Sequence, residues 1–129
     1  LTRGLRHLSL AENPLGDDVS RLFTTTPHTL YSLKLNDIQC TDALAHTLAE
    51  RPESTALRTL DLSGNAITDE GAKMLAQSPH LTHLTSLRLL HCPLTDVGRN
   101  ALAHSSVLQG CAVWIDEGTS VHPLWGKGV

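Results

Sequence analysis

The sequence predicts an α/β chain wound as a right-handed solenoid, with parallel strands on a concave side and helices on a convex side. Three observations carry that expectation. Leucine supplies 24 of the 129 residues while Phe, Trp and Tyr together number four, which suits many small, near-identical cores stacked in a row and not one mixed core. A run of the form L-x-x-L-x-L begins at Leu5, Leu30, Leu57 and Leu84, so the starts are 25, 27 and 27 residues apart. The second half of each repeat has its own recurring residues: Asp17, Asp42, Asp69 and Asp96 twelve positions after the start, and Phe23, Leu48, Leu75 and Leu102 eighteen positions after it.

Each element of the repeat follows in turn. Leu60 and Leu62 alternate with Thr59, Asp61 and Ser63, a strand period that sends one face into a core and leaves the other free. Asn13, Asn65 or Cys92 comes next, where the chain turns inward and an amide or thiol can bond backbone groups that would otherwise be buried unpaired. Thr41-Asp42, Thr68-Asp69 and Thr95-Asp96 read as helix starts, in which the hydroxyl accepts from a first-turn N–H and the carboxylate meets the positive end of the helix dipole. The recurring Asp is therefore assigned to helix capping and not to a calcium stripe. The helix that follows is expected to bury Met74 and Leu75, to pack closely through Ala76, and to end at Pro79, because the residue before a proline is pushed out of helical angles.

This gives four repeats, 5–29, 30–56, 57–83 and 84–110, with residues 1–4 reading as the tail of an upstream repeat. A further 27 residues from Leu84 lands on Cys111, so 111–129 read as a terminal strand and cap, with Trp125 folding back over the last core layer. A single repeat cannot bury its own leucines, so stability is a sum over repeats and their interfaces. The leucine-bearing N-terminal flank is expected to meet upstream repeats or to oligomerise.

The fuller pattern L-x-x-L-x-L-x-x-N/C-x-L is met from Leu5 to Leu15 with Asn13, from Leu57 to Ile67 with Asn65, and from Leu84 to Leu94 with Cys92. On these residues the chain resembles the leucine-rich-repeat family. The second repeat departs from the pattern, with Ile38 at the Asn/Cys position and Cys40 at the last Leu. Repeat length and the helical second half look like the ribonuclease-inhibitor-like and cysteine-containing subclasses. The resemblance implies a horseshoe segment that acts as a non-enzymatic protein-interaction module. Residues 89–98 are similar to the cysteine-containing repeats of ubiquitin-ligase substrate-recognition subunits, and residues 65–76 to ribonuclease-inhibitor and bacterial effector repeats. Two alternatives follow: a substrate-recognition arm of a ubiquitin ligase or bacterial effector, and a structural or oligomerisation block.

Other features narrow the function. Ten Lys and Arg against thirteen Asp and Glu give a net charge of −3 with no basic stripe, which argues against nucleic acid as a partner. No apolar run approaches the ~18 residues that span a bilayer, so no membrane partner is expected. Cys40, Cys92 and Cys111 are an odd, widely spaced set without a C-x-x-C pair, which fits a reducing, cytoplasmic setting and structural roles. The eight histidines fall at unrelated repeat offsets, so no metal, cofactor or catalytic group is expected.

The candidate binding surface is the concave sheet. Its central row is Ser9, Lys34, Asp61, Arg88 and Ile115, and Lys34 and Arg88 can both reach Asp61 across strands ~4.8 Å apart. Ala11, Asn36, Ser63 and Leu90 form the next row, and Glu12, Asp37, Gly64 and His91 the rim; no aromatic residue falls in these rows. The residues expected to bind a protein partner are Lys34, Asn36, Asp37, Asp61, Arg88, Leu90 and His91. Leu90 is the anchor candidate, because its counterparts are small or polar.

Overall fold

The computed structural model describes residues 4–25, 29–117 and 120–123. Trp125 lies outside the described residues. Strands β1 (His7–Ser9), β2 (Ser32–Lys34), β3 (Thr59–Asp61), β4 (Ser86–Leu89) and β5 (Ala112–Glu117) form one parallel sheet in chain order, and β6 (Ser120–Pro123) closes it antiparallel to β5. Between the parallel strands run helices α1 (Ser20–Thr25), α2 (Asp42–Glu50), α3 (Asp69–Ala76) and α4 (Asp96–Ala103), and α2 and α4 each pack against α3. The result is an α/β solenoid.

The strands pair without slippage from β1 to β4. Leu8, Leu33, Leu60 and Leu87 lie side by side, and so do Ser9, Lys34, Asp61 and Arg88. Alternation buries Leu33, Leu60, Leu87 and Val113 almost completely, and with them the row Leu35, Leu62, Leu89 and Ile115. Burying one such leucine is worth about 1.5–3 kcal/mol, so these layers are the main source of stability. The N-terminal layer is less enclosed: Leu8 and Leu10 are half-buried, and Leu5 and Leu15 are exposed at 37% and 41%.

The fifth strand departs from the sequence period. Arg88 pairs with Trp114 and Leu89 with Ile115, so β5 sits one residue away from the register that starts a repeat at Cys111. Ile115 is buried and does not extend the charged row; Trp114 occupies that place. The cause is the in–out alternation of Val113 and Ile115, two β-branched residues that fit the core face only in this register.

The helix starts also differ from the expectation. Thr41, Thr68 and Thr95 cap α2, α3 and α4, accepting from Ala43, Glu70 and Val97 N–H groups at 3.2–3.3 Å. The recurring Asp of the first three repeats, Asp17, Asp42 and Asp69, reaches forward to the next repeat. Asp17 accepts from the Thr41 backbone N–H at 2.8 Å and hydroxyl at 2.7 Å, Asp42 accepts both donors of Thr68, and Asp69 both donors of Thr95. Each carboxylate therefore clamps the adjacent cap, because a neighbouring repeat offers two convergent donors and its own helix end offers only diffuse partial charge. Asp96, the last of the series, is 93% exposed and among the described residues pairs only with Arg99, at 3.7 Å.

A proline follows the ends of α2 and α3, but α4 ends without one. Helix α2 stops at a residue in extended geometry directly before proline, Arg51. Helices α3 and α4 close alike through Gln77 and His104, although one precedes Pro79 and the other Ser106. Their common device is a buried serine: Ser78 Oγ donates to Ala49 O at 2.6 Å, and Ser105 Oγ to Ala76 O. Each satisfies a carbonyl left over at the end of the preceding helix. Met74 is half-buried, while Gly71, Ala72, Leu75 and Ala76 form the packed face of α3.

Candidate functional surface

The turn after each strand sets the geometry of the exposed sheet face. Asn65 is the most heavily used side chain there. Its Oδ1 accepts from Ile38 and Cys40 N–H, both at 3.1 Å, and its Nδ2 donates to Leu35, Leu62 and Ser63 carbonyls. This resolves the irregular corner of the second repeat. Ile38 needs no polar side chain, because the next repeat supplies the hydrogen bonds and Ile38 itself is buried. Cys92 does the same work in a reduced form, its thiol donating to Leu62 O at 3.4 Å.

Glu12, Asp37, Gly64 and His91 follow at the rim, and all four have positive φ, between 58° and 71°. This is the left-handed region, which glycine enters without steric cost. Gly64 is required for a second reason: the Asp37 carboxylate lies where a Cβ would stand, at 2.0 Å.

Within this frame the residues expected to bind a partner separate into groups. Lys34 and Arg88 flank Asp61 in register, yet only Arg88 pairs with it, at 3.8 Å. Asp61 spends its other oxygen on the Ser63 N–H at 2.9 Å, so Lys34 makes no ion pair among the described residues. The expected three-membered charge ladder is thus one pair plus a free exposed lysine. Arg88 is also held from the other side, with its guanidinium 5.2 Å from the Trp114 ring centroid. Asn36 and Asp37 bond each other at 3.3 Å at the rim. His91 lies apart from them, donating its N–H to Asp116 Oδ2 at 2.7 Å, with the ring Nδ1 3.1 Å from the same oxygen. Leu90 is half-buried and fixed by its backbone, its N–H bonding Ser63 Oγ at 3.0 Å.

Between the second and fourth strands lies a shallow depression of about 420 Å³, lined by Ser32, Lys34, Thr59, Asp61, Ser86 and Arg88 among others. Trp114 and Asp116 are additions that counting by 27 could not find. The alternation of Val113 and Ile115 was the available signal.

Two segments, residues 53–76 and 80–103, match the family model described as a leucine-rich repeat. Both segments are similar to leucine-rich repeats. No curated protein matches the sequence. Leucine-rich repeats generally mediate protein–protein interaction and are typically non-enzymatic. The thiols agree with structural use of the three cysteines. Burial, with the nearby Asp17 carboxylate, pushes the Cys40 pKa up to about 12; burial raises Cys111 to about 11 and Cys92 above its ordinary value. All three therefore stay protonated and weakly nucleophilic near neutral pH. Among the described residues, no three His, Cys, Asp or Glu side chains converge as metal ligands, and no helix is long and apolar enough to cross a membrane.

Proposed function

We propose that this leucine-rich-repeat chain binds a protein partner across the exposed face of its sheet, with Arg88 and Trp114 at the centre of the footprint. The supporting observation is the unbroken row Lys34, Asp61, Arg88 and Trp114 on four adjacent strands. It combines a free cation, a braced guanidinium and a half-buried indole on a pre-ordered sheet. Arg and Trp are the residue types that most often dominate binding energy, and a rigid sheet loses little entropy on docking. Lys34, Asn36, Asp37, Asp61, Leu90 and His91 would form the surrounding contacts.

The test is affinity capture with the wild-type chain and with a variant carrying Lys34→Ala, Asp61→Ala, Arg88→Ala and Leu90→Ala, quantified by mass spectrometry. The variant should lose the captured partner while its thermal midpoint stays close to wild type. Capture that survives the four changes would place the binding surface elsewhere. Once the partner is known, Trp114→Ala should weaken binding by about 2 kcal/mol or more.

A structural or oligomerisation role is the second reading, favoured by the exposed Leu5 and Leu15 on the N-terminal flank. Light scattering would support it by giving a dimer mass that Leu15→Asp abolishes. The 27-residue period and the Thr-Asp-x-Gly helix starts support assignment to the ribonuclease-inhibitor-like or cysteine-containing subclass. Three unpaired cysteines support a cytoplasmic location.

A further inference from the structure

We propose that the leading edge of the sheet, where Tyr31 lies between Arg6 and Arg58, docks an acidic protein segment whose carboxylates pair with the two guanidiniums. These residues stand one position after Leu5, Leu30 and Leu57, so they form a row of their own ahead of β1, β2 and β3. The backbone fixes their spacing: Tyr31 N–H donates to Arg6 O at 2.7 Å, and Arg58 N–H to Tyr31 O at 2.8 Å. The side chains stack on the same register. The Arg6 and Arg58 guanidinium carbons lie 5.3 and 5.9 Å from the Tyr31 ring centroid, and all three side chains are exposed.

Neither arginine has a carboxylate partner among the described residues. Glu53 lines the same shallow depression as Tyr31 and Arg58, but it pairs with Arg51 at 3.1 Å. Arg6 spends one N–H on Thr29 Oγ1 at 2.7 Å, which orients its head group and leaves its other donors without a partner among the described residues. A guanidinium stacked on an aromatic ring keeps its in-plane N–H edge free, and that edge matches a carboxylate in bidentate fashion. Orientation is already fixed before a ligand arrives, so less entropy is lost on binding. In a chain of net charge −3, two uncompensated cations held together mark where an acidic partner is attracted and not repelled. The depression beside Tyr31 and Arg58 shares no lining residue with the one that holds Lys34, Asp61 and Arg88, so the proposal does not rest on the central footprint.

The test uses the full chain, labelled with nitrogen-15, titrated with an acetylated decaglutamate peptide. Saturable binding below about 1 mM is expected, with shifts at the Arg6 and Arg58 Nε–H signals and at Tyr31. Arg6→Gln with Arg58→Gln should weaken it by about tenfold or more, Tyr31→Leu should weaken it with the charges intact, and Lys73→Gln should leave it unchanged. The capture-deficient variant described above should bind the peptide as wild type does, which separates this surface from the central one. Equal weakening by Lys73→Gln, or no weakening by the double variant, would overturn the proposal. So would tighter binding of a ten-nucleotide oligothymidylate at the same residues, since that outcome assigns the surface to phosphate.

Discussion

Asn65 concentrates more of the fold in one side chain than any leucine does. It is 5% exposed and makes five hydrogen bonds, three of them to the preceding repeat. Removing it leaves the Ile38 and Cys40 N–H groups buried without acceptors, at a cost of about 1–3 kcal/mol for each orphaned group. Asn65→Ala should therefore lower stability by about 2–5 kcal/mol in urea denaturation. Asn13, at the same position in the first repeat, donates only to Leu10 and Ala11 carbonyls in its own exposed turn, and Asn13→Ala should cost under about 1 kcal/mol. Equal losses at the two positions would show that the inter-repeat bonds carry no weight. The pattern N/C could be read directly from the chain; that Asn65 serves the corner of repeat two could not, because its partners lie up to 30 residues away.

Between neighbouring helices, the Asp–Thr clamp depends on glycine. The Asp69 Oδ1 that bonds Thr95 also accepts from Gly98 N–H at 3.0 Å, and a Cβ on Gly98 would fall 2.4 Å from that oxygen and 3.2 Å from the Asp69 Cα. Alanine normally favours a helix over glycine by about 1 kcal/mol. Here the sign should invert: Gly98→Ala either displaces Asp69 from its donors or forces α4 away from α3, and we expect a loss of about 1–2 kcal/mol by thermal or urea unfolding. A gain in stability would contradict the clamp. The hydrogen bond from the Thr95 hydroxyl, followed by that from its backbone N–H, holds the Asp69 carboxyl below its usual value of 3.8. A lowered folded pKa means that the contribution is complete above 3.8 and is lost as pH falls through the lower folded value. Asp69→Asn should therefore flatten the dependence of stability on pH in that acid window, as followed by urea midpoints between neutral pH and about pH 2, and leave the slope near neutrality unchanged.

Across the stack, each repeat touches only its neighbours, so enclosure and stability vary from one end to the other. Leu60 is 1% exposed between two complete layers, whereas Leu8 is half-buried in the first strand. Leu60→Ala should cost about 2–5 kcal/mol and Leu8→Ala about half that or less. Amide hydrogen exchange on the unmodified chain gives an independent reading: protection should be greatest in β3 and β4, flanked by strands on both sides, and least in β1. Uniform protection would mean that the chain opens only as a single unit. The antiparallel β6 gives β5 a second neighbour and so removes it from the sheet edge.

The leucine period, the strand alternation and the threonine caps were legible in the chain because each depends on residues within one repeat, where spacing alone sets which side chains share a face. The candidate surface was less legible. Lys34, Asp61 and Arg88 could be aligned by counting, but Trp114 entered the row through a register chosen by Val113 and Ile115 packing into the core. The choice of one ion pair over two, the forward reach of Asp17, Asp42 and Asp69, and the stacking of Arg6 and Arg58 on Tyr31 all depend on atoms in adjacent repeats. Local pattern specifies the repeat. Only the contacts between repeats decide which polar side chains are consumed in holding the stack together and which remain free to bind.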